Sequence, residues 1–153
     1  MRSQFQRQFV TPLNLVLCGY AAMSAPTRLT FVALSVSDLQ ASLEFYRNLI
    51  GLPLTPESHD AEKNDAWYGG PHAAYSWTDG AFIHFALYPQ RLPERPVATA
   101  VQIGFHVQDF EQVHTRVVAA GVKIVQEPRS EPWGRTARYL DPDENIVSIT
   151  ASS

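Results

Sequence analysis

The chain has 153 residues, a formal net charge of −3 and a hydrophobic fraction of 45%. That is one domain by size, or two small fused modules, with enough apolar content to build a core. The absence of a long basic run argues against nucleic acid as a partner. The lone cysteine, Cys18, allows neither an internal disulfide nor a cysteine-based zinc site, and the apolar runs are too short and interrupted to span a bilayer.

Residues 1–25 differ from the rest. Arg2 and Arg7 come without an acid, ahead of the mildly apolar stretch Leu13–Ala22. Pro12 and Asn14 interrupt that stretch, and Leu17 precedes Cys18 where a lipoprotein site takes a small residue. The match to a signal peptide is poor. The segment reads as a disordered leader, or as an upstream extension with Met23 as the initiator. The expected location is the cytoplasm, and the expected folded domain is 26–153.

The first strand is expected over Arg28–Val36, with Val32, Leu34 and Val36 on one face and Phe31, Ala33 and Ser35 on the other. A helix follows, capped by Ser37 or Asp38. Leu39, Leu43, Tyr46 and Ile50 give it one apolar stripe, and Gly51 supplies a left-handed stop. Leu52–Thr55 reads as a short strand and Pro56–Asn64 as a loop. Asp65–Trp77 is rich in aromatics and broken by Gly69, Gly70 and Pro71. Asp79-Gly80 turns the chain into a strand over Ala81–Tyr88. Residues 89–98 form the linker between two modules, about 28–88 and 99–151.

The second module repeats the first. Val101, Ile103, Phe105 and Val107 oppose Gln102, Gly104 and His106 on a strand. Asp109 caps a helix whose stripe is Phe110, Val113 and Val117, and Gly121 stops it. Val122–Gln126 reads as a strand, Pro128–Gly134 as a loop, and Arg135–Leu140 and Asn145–Thr150 as strands joined by a turn at Asp141-Pro-Asp-Glu. Asp38 and Asp109 lie 71 positions apart, as do Phe31 and Gln102. A second echo, 64 positions apart, sets His84 against Ser148. Such a repeat implies two copies of one supersecondary unit. The expected class is α+β: two tandem βαβββ modules forming a curled mixed sheet around a central cavity, with the helices outside. The faces away from the helices are mixed in the first copy and polar in the second. A binding cup has that asymmetry, and so does a sheet with one face in solvent.

Alternation sends Ile83 and Phe85 to the helix side and His84 to the free face. There His84 is either a satisfied polar residue of a half-buried sheet or a ligand contact, with general base chemistry open to it. Gln102 and His106 share the corresponding face of the second module. Trp67, Tyr68, Tyr75, Trp77 and Phe82 cluster in the first module, and Trp133 sits in a loop of the second. Such aromatics line ligand cavities; they also fill sheet cores and dimer interfaces. Arg135 and Arg138 either grip an anionic group or lie on the surface. The chain has no phosphate-binding glycine loop, no dinucleotide fingerprint, no nucleophile elbow and no His-Glu-x-x-His.

Phe31-Val-Ala-Leu-Ser-Val-Ser-Asp-Leu39, Ser42-Leu-Glu-Phe-Tyr-Arg-Asn-Leu-Ile-Gly-Leu52, Ala119-Ala-Gly-Val122 and Pro132-Trp-Gly-Arg-Thr-Ala-Arg-Tyr-Leu-Asp-Pro-Asp-Glu-Asn-Ile146 together resemble the vicinal oxygen chelate superfamily. It includes glyoxalase I, extradiol dioxygenases and the fosfomycin- and bleomycin-resistance proteins. The resemblance implies paired βαβββ modules and, in the enzymes, one divalent metal held by His, Glu or Gln. Those ligand places fall on Phe31, His84, Gln102 and Ser148. Phenylalanine has no donor atom, serine and glutamine are weak neutral ligands, and no carboxylate stands among the four. The expectation is therefore no metal and no other cofactor. Function is expected nearest the metal-free bleomycin-resistance members, which hold a small organic ligand. The ligand contacts expected are Phe31, Trp67, Tyr75, Trp77, His84, Gln102, His106, Trp133 and Arg135. The other reading is a metal-dependent glyoxalase-like lyase, isomerase or dioxygenase with His84 as ligand or base. The resemblance also implies a homodimer.

Overall fold

The computed structural model of the chain describes residues 27–59, 70–91 and 96–152. The leader, Trp67 and Tyr68 lie outside the described residues. In the first module, β1 (Phe31–Val36) leads into α1 (Leu39–Leu43), which continues as a π-helical stretch over Glu44–Ile50, followed by β2 (Thr55–His59), β3 (Gly70–Trp77) and β4 (Ile83–Pro89). The second module repeats that order with β5 (Gln102–His106), α2 (Phe110–Ala119), β6 (Ile124–Glu131), β7 (Gly134–Leu140) and β8 (Ile146–Ala151). The sheet orders are β1-β4-β3-β2 and β5-β8-β7-β6, each with a parallel first pair and antiparallel pairs after it. The fold is α+β, two tandem βαβββ modules with curled mixed sheets.

Local chemistry sets the helix ends. Asp38 accepts from the Ala41 amide at 3.0 Å and Asp109 from the Gln112 amide at 2.9 Å, each satisfying an orphan donor of the first turn. Asp38, not Ser37, is the first cap. Gly51 ends the first helix at φ +94°, a left-handed conformation that a Cβ disfavours. The predicted stripes are inside: Leu43, Tyr46 and Ile50 are buried, as are Phe110, Val113 and Val117. Phe45 is buried too. It lies five residues before Ile50, and the i→i+5 pattern of a π-helical turn brings such positions to one side.

One apolar cluster joins the modules. It holds Leu34, Phe85 and Leu87 of the first sheet, Tyr46 and Val117 of the helices, and Tyr139, Val147 and Ile149 of the second sheet. The Phe85 and Phe105 rings meet edge to face at 5.6 Å, with Tyr46 against both. The helix-facing sides of the two sheets therefore share a core, and their free faces turn away from it.

A polar knot fixes this arrangement. Asp141, buried at the β7–β8 turn, accepts from the Tyr46 hydroxyl at 2.7 Å, the Asn145 amide at 2.8 Å, the Asp143 amide at 2.9 Å and Asn145 Nδ2 at 3.0 Å. Asn145, only 1% exposed, also donates to the Ala98 carbonyl at 2.8 Å and accepts from the Val101 amide at 3.0 Å. Ser37 bonds Asp143 through both its amide and its hydroxyl.

β1 begins at Phe31 and β4 at Ile83, later than the expected Arg28 and Ala81, and β3 takes in Gly70 and Pro71, expected as a break; two edge strands also depart from expectation. β2 begins at Thr55, where Leu52–Thr55 was expected, and takes in Pro56 and Glu57, expected in a loop. β6 runs on through Pro128 to Glu131, beyond the expected end at Gln126. Both are edge strands, where a proline's missing N–H can face away from the ladder, and β6 absorbs Pro128 in a register shift between Gln126 and Arg129. Turn-like composition lost to cross-strand pairing.

Asn145→Ala leaves the Val101 amide and the Ala98 carbonyl without their partner. The expected loss is about 2–4 kcal/mol of unfolding free energy in urea titration, from several buried groups at once; a loss below about 0.5 kcal/mol would refute the knot.

Burial, with the charges of Glu127 and Glu111, pushes the Tyr139 phenol up to about 12. Burial and the Asp141 charge push Tyr46 up as well. In both the fold favours the neutral phenol. Their contribution is complete below the unfolded value of about 10 and declines as pH rises from there towards 12. Stability measured by denaturant titration should fall across that window, and less steeply in Tyr139→Phe.

Candidate functional site

Strand pairing sorts the candidate side chains into rows. On the free face of the first sheet, Phe31, His84 and Ser76 lie side by side across β1, β4 and β3. The Phe31 and His84 rings stack at 5.5 Å with 6° between their planes. Ser76 Oγ lies 2.8 Å from His84 Nδ1, so the ring is held from both sides. The next row, Ala33, Ala86 and Ala74, is small and largely buried. Beyond it His72 stacks on Tyr88 at 4.5 Å, and both are buried. This face is open chiefly at its Phe31 end, where Phe31 is 39% exposed.

The free face of the second sheet is polar. Gln102 pairs with Ile146 and then Leu140; Gly104 with Ser148, Arg138 and Gln126; His106 with Thr150, Thr136 and Arg129. Gln102, Gly104 and His106 are exposed along β5, an edge strand of the sheet. His106 Nε2 lies 3.1 Å from the Ser152 hydroxyl.

The remaining candidates lie elsewhere. Tyr75 and Trp77 pair with Phe85 and Ile83, so they face the helices. Their rings meet edge to face at 5.2 Å against the shared core. Trp77 also lines a cleft of about 730 Å³ between the modules, with Val32, Ile83, Phe85 and Phe105. Trp133 is 64% exposed on the β6–β7 hairpin. That hairpin needs Gly134: its φ is +127°, and a Cβ there would collide with the Ala151 carbonyl. Arg135 points to α2, with Nε 2.8 Å from Glu111 and the guanidinium 5.2 Å from the centre of the Phe110 ring. The structure thus gathers Phe31 and His84 on one sheet and Gln102 and His106 on the other; Trp77 and His106 also both line the cleft between the modules, and Tyr75 and Arg135 lie on the helix sides.

The sequence reading passed over Ser76 and gave Arg138 no place among the expected contacts. Ser76 was legible once β3 was paired with β4, because it alternates with Tyr75 and Trp77. Arg138 lies three residues from Arg135, so the two-residue period puts them on opposite faces. The echo between His84 and Ser148 is also out by two. His84 N–H bonds the Thr30 carbonyl as Ile146 N–H bonds that of Val101, both at 2.9 Å, making Ile146 the counterpart of His84. A shift of two keeps the face and changes the row.

Residues 28–149 match the family model described as the Glyoxalase/Bleomycin resistance protein/Dioxygenase superfamily. The chain belongs to this superfamily. A curated relative is glutathione transferase FosA of Serratia marcescens, 28% identical over 127 residues, which span 82% of this chain and 81% of FosA. Among solved structures, the antibiotic binding protein TnmS3 from a Streptomyces species superposes with a TM-score of 0.60 at 22% identity, covering 84% of this chain and 98% of TnmS3. The oxidase ChaP-H2 superposes with a TM-score of 0.62 at 19% identity, covering 84% and 96%. At these identities the structural likeness concerns the fold.

The donor set at the superfamily's metal places does not suit a divalent ion. Phe31 stacks on the one imidazole, His84, while Gln102 and Ser148 stand on the other sheet in different rows. Among the described residues, no group of three or more His, Cys, Asp or Glu side chains could hold a metal ion. What the two faces offer is an aromatic surface with an oriented imidazole, and a polar surface rich in hydrogen-bond donors. Groups of these kinds line small-molecule sites in proteins generally.

Proposed function

We propose that this superfamily member is a metal-free small-molecule-binding protein, its organic ligand held on the free faces of the sheets. The observation that carries the reading is the Phe31–His84 stack, a hydrocarbon ring at the place where the sequence resemblance implies a metal ligand in the superfamily's enzymes. The likeness to the antibiotic binding protein TnmS3 supports it. Among the described residues no helix is long and apolar enough to cross a membrane, and the proposed location is the cytoplasm.

The free faces turn away from the core that one chain's modules share. A cup with both faces in its wall therefore takes one sheet from each of two copies, and we infer a homodimer. Sedimentation at micromolar concentration should give twice the chain mass. A monomer that still bound ligand would rule out the shared cup.

His84 is held by Phe31 and Ser76 and is part of neither apolar cluster. His84→Ala should weaken binding of an aromatic ligand, chosen by thermal-shift screening, about tenfold, the value of one good polar contact, and lower Tm by only a few degrees. A collapse in stability with unchanged affinity would make His84 a structural residue.

One other reading is a metal-dependent enzyme of the lyase, isomerase or dioxygenase kind with His84 as ligand or base; the relation to FosA, a glutathione transferase, favours catalysis without naming that reaction. Elemental mass spectrometry on untagged protein, before and after dialysis against zinc, manganese, nickel and iron(II), separates the two. The binding-protein reading expects no retained ion, and about one ion per chain would overturn it.

A further inference from the structure

Resting on the reading that the free faces bind a small molecule, we propose that the second sheet holds the subsite for an anionic group of that ligand, a carboxylate or comparably charged oxygen, gripped by Arg138 and Gln126. The two side chains lie next to each other in one row across β7 and β6, continued on β8 and β5 by Ser148 and Gly104.

Three observations carry the proposal. Arg138 Nε and Gln126 Nε2 are both buried and lack a hydrogen-bond partner. Each atom only donates, so what the row lacks is an acceptor. Two neighbouring donors, one of them on a permanent cation, favour a charged acceptor over a neutral one, because hydrogen bonds between charged groups are the stronger kind.

Among the described residues no carboxylate pairs with Arg138. Glu131, at the far end of β6, pairs with Arg129, and Glu111 pairs with Arg135 on the helix side of the sheet. The row also falls away beside the guanidinium. Ser148 is short, and Gly104 has no Cβ; one built there would meet nothing closer than Ser148 Cβ at 3.8 Å, an ordinary contact. The bare backbone at Gly104 is therefore not forced by crowding, and it withholds a side chain from the row.

Arg135 provides an internal comparison. It is an arginine on the same strand, three residues away, with its charge already met by Glu111 and its face covered by Phe110. The two arginines divide between packing and recognition.

The probes are naphthalene carboxylate and its neutral carboxamide, which share a flat aromatic body and differ in charge. Isothermal titration of the full chain should show the carboxylate bound about tenfold more tightly. Arg138→Gln should abolish that preference, and Arg135→Gln should leave it intact. Arg138→Lys, which keeps the charge and loses the Nε–H, should retain part of it and serves where the glutamine variant does not fold by circular dichroism. Equal affinity for the two probes in the unaltered protein, or a preference that survives Arg138→Gln, would overturn the anionic subsite while leaving small-molecule binding in place. Saturable binding of neither probe also overturns the subsite; the wider reading then stands or falls on the His84 and metal measurements.

Discussion

The buried carboxylate of Asp141 is the constraint on which the arrangement of the two modules rests. A charge removed from water is tolerable only with donors around it, and these come from different parts of the chain. Tyr46 reaches it from the first module's helix, and Asn145 and the Asp143 amide from its own turn. Asn145 then holds the segment entering β5 through Ala98 and Val101. The turn thereby ties the first helix, the crossing between modules and the second sheet together. Because Tyr46 is also packed between Phe85 and Phe105, the same residue fixes the apolar contact. The helix sides are committed to the core; of the opposite faces, the first is exposed chiefly at its Phe31 end and the second is polar.

Much of the fold was legible because its signals are local. Val-x-Asp followed by an apolar stripe and a glycine specifies a strand, a cap, a helix and a stop without any distant partner. β2 and β6 were obscured because proline and polar residues look like loop when their partners are not considered. Pro56 and Pro128 are tolerated on edges of sheets, a fact of topology that a window of sequence does not contain.

The site was legible in part, for a related reason. Alternation places His84, Gln102 and His106 on free faces, and it does so from each strand alone. It does not say which strand neighbours which, or in what register. Tyr75 and Trp77 drew attention as aromatics, yet the serine between them is the residue that meets His84. Arg135 stood in the recognisable Pro-Trp-Gly-Arg run and proved to be paired with α2, whereas Arg138, three residues on in the same family-like stretch, faces outward from the core. Here, motif prominence and facing were independent.

The two free faces differ in chemistry in a way that bears on what they hold. Phe31 and His84 present a continuous flat surface, their rings within 6° of parallel. Ser76 governs the imidazole's remaining nitrogen. If the hydroxyl donates to Nδ1, Nε2 carries the proton and offers a donor; if it accepts, Nε2 is the acceptor. A hydroxyl rotation coupled to a tautomer change, in which Nε2 gives a proton to solvent and Nδ1 takes one up, converts the polar edge of the aromatic platform between two recognition states with little movement of the ring. The second sheet has no such freedom: the guanidinium of Arg138 only donates. A ligand of the proposed kind would be oriented by the fixed donor and accommodated by the adjustable one. Phe31 offers a flat apolar surface and no donor atom, which supports the proposed sequestration over chemistry at a single fixed atom.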